Sequence, residues 1–337
     1  MASLPGHFFE PVLVGRIQHP FSEFALLCAY AQGFYGPAST GHTWIGVHFR
    51  VKEDFALLTL PEEFLAKLAP LAQRFANKAI RSATLKEAQE LCGRAGRLAQ
   101  VIPAARPFIT NLYGALAGSL RAAENRSREA APGHVATRRF RAAASWLQKL
   151  LEGGGSSSPL VLQTKVFAWE PSYDPQARRV EFDASPYGGA AILWEEGEVT
   201  EWFAVTWTNI PKLAVCTADS RFQTFWEFLT LALAACRWCP MYDHLLICGD
   251  NTASLNLALQ GKSKGLNSFI GRELAWRKAR FDWRFAVAHL PAEANVLADR
   301  LSRLSDPSLP TLATLPSALL GAAVVNSCLD TFFSLIQ

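Results

Sequence analysis

Four carboxylates stand where catalysis would want them. Asp183 closes the apolar run VEFD, and Asp250 follows LLICG directly. Glu227 lies between them in QTFWEFL, about two turns into a stretch with helical spacing, and Asp299 lies in NVLADRLSR. A carboxylate just past a buried strand has no packing role. Gathering several costs repulsion and desolvation unless cations neutralise them. Hard oxygen donors suit Mg²⁺ or Mn²⁺. A cluster of this kind can hold two such ions roughly 3.5–4 Å apart for phosphodiester chemistry, one activating water and the other stabilising the leaving oxygen. Asp183, Glu227, Asp250 and Asp299 are therefore the candidate catalytic and metal-holding residues.

These side chains need a sheet and helices to bring them together. Period-two alternation predicts strands over 179–184, 190–195 and 199–208, joined by turns at Gly188–Gly189 and Gly197. A helix over 220–239, a short buried strand over 245–248, helices over 251–259 and 266–278, a strand over 281–290 and a helix over 293–304 follow. The order is βββαβααβα, a mixed α/β unit with a five-stranded sheet flanked by helices, assigned to 160–305, with 161–169 as a strand leading in. Upstream, GGGSSS ending at Pro159 reads as a flexible linker over 153–159 and marks the main boundary. Residues 44–152 form a mostly helical region. It opens with a strand over 44–51 and continues in helices over 61–75, 84–98, 108–123 and 136–151. Thr84 with Glu87 has the capping-box spacing, and Pro70 is a possible kink. Residues 1–43 show no clear period, and 306–337 form an unassigned tail.

The composition sets limits. Of 337 residues, 50% are hydrophobic and 18% charged, too apolar for a disordered chain. Seven scattered cysteines do not suggest a disulfide scaffold. The N-terminus lacks the pattern of a secretion signal, and the apolar stretch over 315–337 carries too many polar residues to span a membrane. The expectation is an intracellular chain, cytoplasmic or nuclear, with reduced thiols. Residues 67–149 hold 15 Lys/Arg against four acids, net +11, while the remainder sums to −7. A basic block beside an acidic one points to a polyanionic partner for the first and metal ions for the second. Arg138, Arg139 and Arg141 form a local basic cluster suited to phosphate contact.

Two stretches also resemble a known family. VEFDASPYGGAAIL resembles the first hairpin of the ribonuclease H domain of retroelement polyproteins, and HLPAEANVLADRLSRL resembles the segment that closes that domain. The resemblance implies a ribonuclease H-like fold and cleavage of the RNA strand of RNA–DNA hybrids. It implies that Asp183 bridges two metal ions, that Glu227 and Asp250 complete one site, and that Asp299 completes the other. Ala292 stands where the family usually has Gly. Ser185, Asn251 and Asn295 join the three arginines as candidates for nucleic-acid contact, and His289 reads as a residue at a strand end. WIGVHFRV, LPEEFLAKL and the run from TLKEAQ to YGAL resemble the thumb and connection region of DIRS- or gypsy-type reverse transcriptases. No Tyr-x-Asp-Asp motif occurs, so no polymerase activity is expected, and the chain reads as the C-terminal part of a longer polyprotein. The alternative is a non-catalytic nucleic-acid-binding relic. Cys236-x-x-Cys239 has no second ligand pair at zinc spacing and ends an apolar helix, so it reads as packing, as do most of the ten Trp.

Overall fold

The computed structural model describes residues 41–44, 47–51, 55–125, 130–152, 163–167, 178–207, 222–242, 244–261, 265–281, 283–308 and 315–332. The Gly/Ser linker over 153–159 and nearly all of 1–43 lie outside them.

The first sheet contains β1 (Gly41–Trp44), β2 (Val47–Val51) and β3 (Phe55–Thr59). Trp44 pairs antiparallel with Val47, so the single strand expected over 44–51 is a hairpin that folds back within it. β3 falls in a short apolar stretch that helical spacing alone assigned to no strand. The helical region follows, with α1 (Glu62–Ala76), β4 (Ser82–Thr84), α2 (Leu85–Val101), α3 (Arg106–Glu124), β5 (His134–Ala136) and α4 (Arg141–Leu151). α1 runs through Pro70 and buries Leu68, Ala72 and Phe75 along one stripe. The capping box forms as expected: Glu87 N donates to Thr84 Oγ1 at 3.1 Å, and Thr84 N donates to Glu87 Oε2 at 2.8 Å. α4 starts later than expected because His134, Val135 and Ala136 pair with β4. These helices share one core around Phe75, Leu91, Phe140 and Leu147, which Ala275 joins from the C-terminal unit.

β6 (Gln163–Phe167), the strand expected to lead into the C-terminal unit, pairs instead with β3, completing a four-stranded sheet. The C-terminal unit contains β7 (Arg178–Ala184), β8 (Gly188–Glu195), β9 (Glu198–Thr206), α5 (Gln223–Trp238), β10 (Leu245–Gly249), α6 (Thr252–Gln260), α7 (Asn267–Phe281), β11 (Phe285–His289) and α8 (Val296–Ser302). β12 (Ala323–Val324) and α9 (Leu329–Phe332) follow. The sheet order is β11-β10-β7-β8-β9-β12. β7, β8 and β9 form the antiparallel meander, while β10 and β11 run parallel to β7. The sheet therefore has six strands rather than five. The sixth comes from the tail, where two residues pair parallel with β9, too few to leave a periodic signal. The tail also sends Phe332 into the main core, fully buried, which is worth roughly 1.5–3 kcal/mol.

One face of the sheet carries α5, which is buried along almost its whole length, and Val180, Phe182 and Ala184 of β7 point into that layer. The helix lies so close that a Cβ on Gly189 would collide with Thr230 Oγ1 and the Trp207 ring, so only glycine fits there. Alternation sends Asp183 to the opposite face with Ala190 and Ile192, which α8 covers through Ala298 and Leu301. Among the described residues no helix is long and apolar enough to cross a membrane.

Candidate metal centre

Parallel pairing sets the first coincidence. Cys248 of β10 aligns with Glu181 of β7, so two residues further on Asp250 draws level with Asp183 at the same sheet edge. Glu227, in the second turn of α5, reaches that edge from the other face. Carboxylate oxygens of Asp183, Glu227 and Asp250 lie within 4.8 Å of one another. Asp183 and Glu227 are 5% and 2% exposed, whereas Asp250 opens toward solvent.

Each carboxylate has an identifiable environment. Ser302, which ends α8, donates its hydroxyl to Asp183 Oδ2 at 2.6 Å. Gln223, one turn before Glu227, donates its amide to Glu227 Oε1 at 2.9 Å and to the Ala184 carbonyl. Glu227 Oε2 is buried with no hydrogen-bond partner. Burial pushes the Asp183 carboxyl up to about 7; the Ser302 hydrogen bond opposes this, and the nearby Asp299 and Asp250 charges add to it. Glu227 is raised well above the ordinary carboxylate range by burial, then by Asp183 and Asp250. Asp250 is raised as well, mainly by burial, with a backbone hydrogen bond and the charges of His289 and Arg303 working the other way. Three acids held this close resist ionising together, and a bound cation relieves that cost. An oxygen-only donor set that includes a carboxylate with an orphaned buried oxygen fits a hard divalent ion.

The fourth acid is placed differently. Asp299 neighbours Asp183 and Asp250 closely enough to raise both, yet it lies outside the 4.8 Å group. It is half-exposed, and Arg303 one turn on donates to its Oδ1, with Nε at 2.8 Å.

The nucleic-acid candidates divide by exposure. Ser185 and Asn295 are 3% and 1% exposed. The Ser185 hydroxyl donates to the Ser302 carbonyl at 2.7 Å and accepts from the Tyr187 and Gly188 amides. Asn295 donates to the Phe182 carbonyl at 2.9 Å. Both braces tie α8 to the end of β7. Asn251 caps α6, accepting from the Ser254 amide at 3.0 Å. Arg138 and Arg139 are exposed and Arg141 is half-buried at the start of α4. Cys236 and Cys239 are buried; burial pushes the Cys239 thiol up to about 12, the behaviour of packed residues.

Gln223 and Ser302 went unnoticed in the sequence. The i, i+4 spacing of Gln223 to Glu227 was a usable signal. The contact of Ser302 depends on where α8 lands on β7 and left none.

No protein-family model matches the chain, and no curated protein matches it. Several solved chains are weakly similar, two of them as follows. One is the foamy viral protease-reverse transcriptase in complex with RNA/DNA hybrid, at 14% identity and TM-score 0.23, covering 75% of this chain and 30% of that one. The other is the foamy viral protease-reverse transcriptase in complex with dsDNA, at 16% identity and TM-score 0.23, covering 75% of this chain and 45% of that one. The chain thus spans less than half the length of either.

Proposed function

We propose that this chain is a retroelement-derived ribonuclease H that hydrolyses the RNA strand of RNA–DNA hybrids with Mg²⁺ or Mn²⁺. The observation that carries the reading is the Asp183–Glu227–Asp250 group, two of its acids buried and the third partly exposed, assembled from β7, α5 and the end of β10. Asp183, Glu227 and Asp250 would hold one ion, and Asp183 with Asp299 a second. Such ions, when bound, activate water and stabilise the leaving 3′ oxygen. The protein's part is to fix the oxygens and to lay α8 across the strand that carries Asp183. Selection of the hybrid is taken from the sequence resemblance; 2′-hydroxyl contacts and groove shape supply its physical basis. The exposed Arg138 and Arg139, with Arg141, are the proposed phosphate contacts on a helical region that would serve as a thumb or connection, and Asn251 is a further one in the C-terminal unit beside Asp250.

A second reading, a binding relic without chemistry, draws support from Arg303. Its guanidinium already neutralises Asp299 and must be displaced or shared before a second ion binds there. The deciding experiment is single-turnover cleavage of a labelled hybrid, against duplex DNA and duplex RNA, with Mg²⁺ and with Mn²⁺. Metal-dependent cleavage of the RNA strand alone is expected. Hybrid binding without cleavage in either metal would sink the nuclease and leave the relic.

A further inference from the structure

The two deepest triad carboxylates each have one oxygen occupied by a neutral donor. Ser302 Oγ holds Asp183 Oδ2 at 2.6 Å, and Gln223 Nε2 holds Glu227 Oε1 at 2.9 Å. Both donors are anchored on the same short run of chain. The Ser302 carbonyl receives the Ser185 hydroxyl at 2.7 Å, and Gln223 also donates to the Ala184 carbonyl. Asp183, Ala184 and Ser185 are consecutive, so one strand end sets both donors and one of the acids. Glu227 Oε2 is left buried and unpartnered.

A neutral donor fixes a carboxylate's rotamer while leaving its charge available. An arginine would fix and cancel it together, as Arg303 does at Asp299. Accordingly, we propose that Ser302 and Gln223 are positioning residues for a divalent cation. They pin Asp183 and Glu227 from opposite faces of the sheet so that the remaining oxygens converge on one point. The proposal rests on the metal reading above and goes beyond it by naming two side chains that touch no metal but set its affinity. Residues that orient metal ligands typically change affinity by about 10–100-fold when removed.

The test is Mn²⁺ binding to the full chain, read from the loss of the free-ion paramagnetic resonance signal, in wild type, Asp183→Asn, Ser302→Ala, Ser302→Thr and Gln223→Ala. Ser302→Ala and Gln223→Ala should each weaken Mn²⁺ about tenfold or more. Ser302→Thr, which keeps the hydroxyl, should stay within about threefold of wild type. In hybrid cleavage, the metal concentration for half-maximal rate should rise in the alanine variants while the rate at saturating metal changes far less. A purely structural role would not produce that split. Wild-type affinity in both alanine variants, alongside loss in Asp183→Asn, would overturn the positioning role and spare the metal site. No Mn²⁺ binding by wild type would overturn the metal reading, and this proposal with it. Should Ser302→Ala fail to fold, Gln223→Ala, on a part-buried side chain at a helix start, decides alone.

Discussion

Glu273 and the pair Asp183 and Glu227 are buried carboxylates of the same α/β unit, and the chain treats them in opposite ways. Glu273 in α7 is 1% exposed and receives Arg277 Nε at 2.8 Å. The same guanidinium reaches Cys236 Sγ at 3.0 Å and the Thr331 carbonyl at 2.9 Å, tying α7 to α5 and to the tail. Burial still pushes Glu273 up to about 7, with Arg277 opposing. At the triad, the side chains that donate to Asp183 and Glu227 are neutral. A buried acid that serves the fold is thus given its own cation. The two deepest acids at the sheet edge are oriented by neutral donors instead, the arrangement expected where the cation is to come from solution.

The sharpest way to break the comparison is catalytic. Asp250→Asn keeps the shape and removes a charge and a good Mg²⁺ ligand. Cleavage should fall by at least about a hundredfold, or more than roughly 2.7 kcal/mol in barrier, while hybrid binding survives. Single-turnover rates measure it, and equal rates in the two proteins would remove Asp250 from the site.

Next comes stability. Arg277→Ala strands Glu273 in the core, and breaking a buried pair typically costs about 3–5 kcal/mol. Urea unfolding of the metal-free protein should show a loss of that order, insensitive to added Mg²⁺. A loss below about 1 kcal/mol would mean that Arg277 is not the compensating charge.

The third effect is smaller and depends on pH. The Asp183 carboxyl is raised from an ordinary 3.8 to about 7 when folded, so the folded state keeps its proton longer than the unfolded chain. Ionisation of this group therefore penalises folding increasingly as pH rises through that window, and the penalty levels off above it. Asp183→Asn should gain stability over metal-free wild type between those values and hold the gain at pH 8. Millimolar Mg²⁺ or Mn²⁺ should remove the gain by stabilising wild type. A constant difference between the two proteins across pH, with or without metal, would contradict the raised carboxyl.

The smallest effect tests the basic helices. Replacing both Arg138 and Arg139 with alanine should lower hybrid affinity and reduce the slope of log affinity on log salt by about one per arginine. An unchanged slope in fluorescence-anisotropy titrations would make the cluster an ordinary solvated surface.

Much of the site was legible because strand alternation and helix period fixed each acid's face and depth. Asp183 and Asp250 end apolar strands, and Glu227 sits one turn past the start of a helix whose apolar character spans every face. The Thr84 capping box was legible for the same local reason. What stayed hidden depends on long-range pairing. The hairpin that turns inside WIGVHFRV needs the Trp44–Val47 pair, and the sixth strand is two residues, too few for a period, that pair with β9. The compensation of Asp299 by Arg303 has an i, i+4 signature and could have been read; the same spacing also suits an exposed surface pair, which left its bearing on the site unseen.

The pairing of β3 with β6 has a topological meaning. Thr59 ends one strand and its partner Gln163 begins the next, so the two strands form a hairpin whose loop is the entire helical region. That region leaves and re-enters the sheet at neighbouring points, the geometry of an inserted module. Because the cost of closing a loop grows only slowly with its length, the long insert asks little more of the sheet than a short turn in its place would. What holds the helices in place is therefore their packing, on Leu58 and Leu60 beside the sheet and on Ala275 of the C-terminal unit, and not the path of the chain alone.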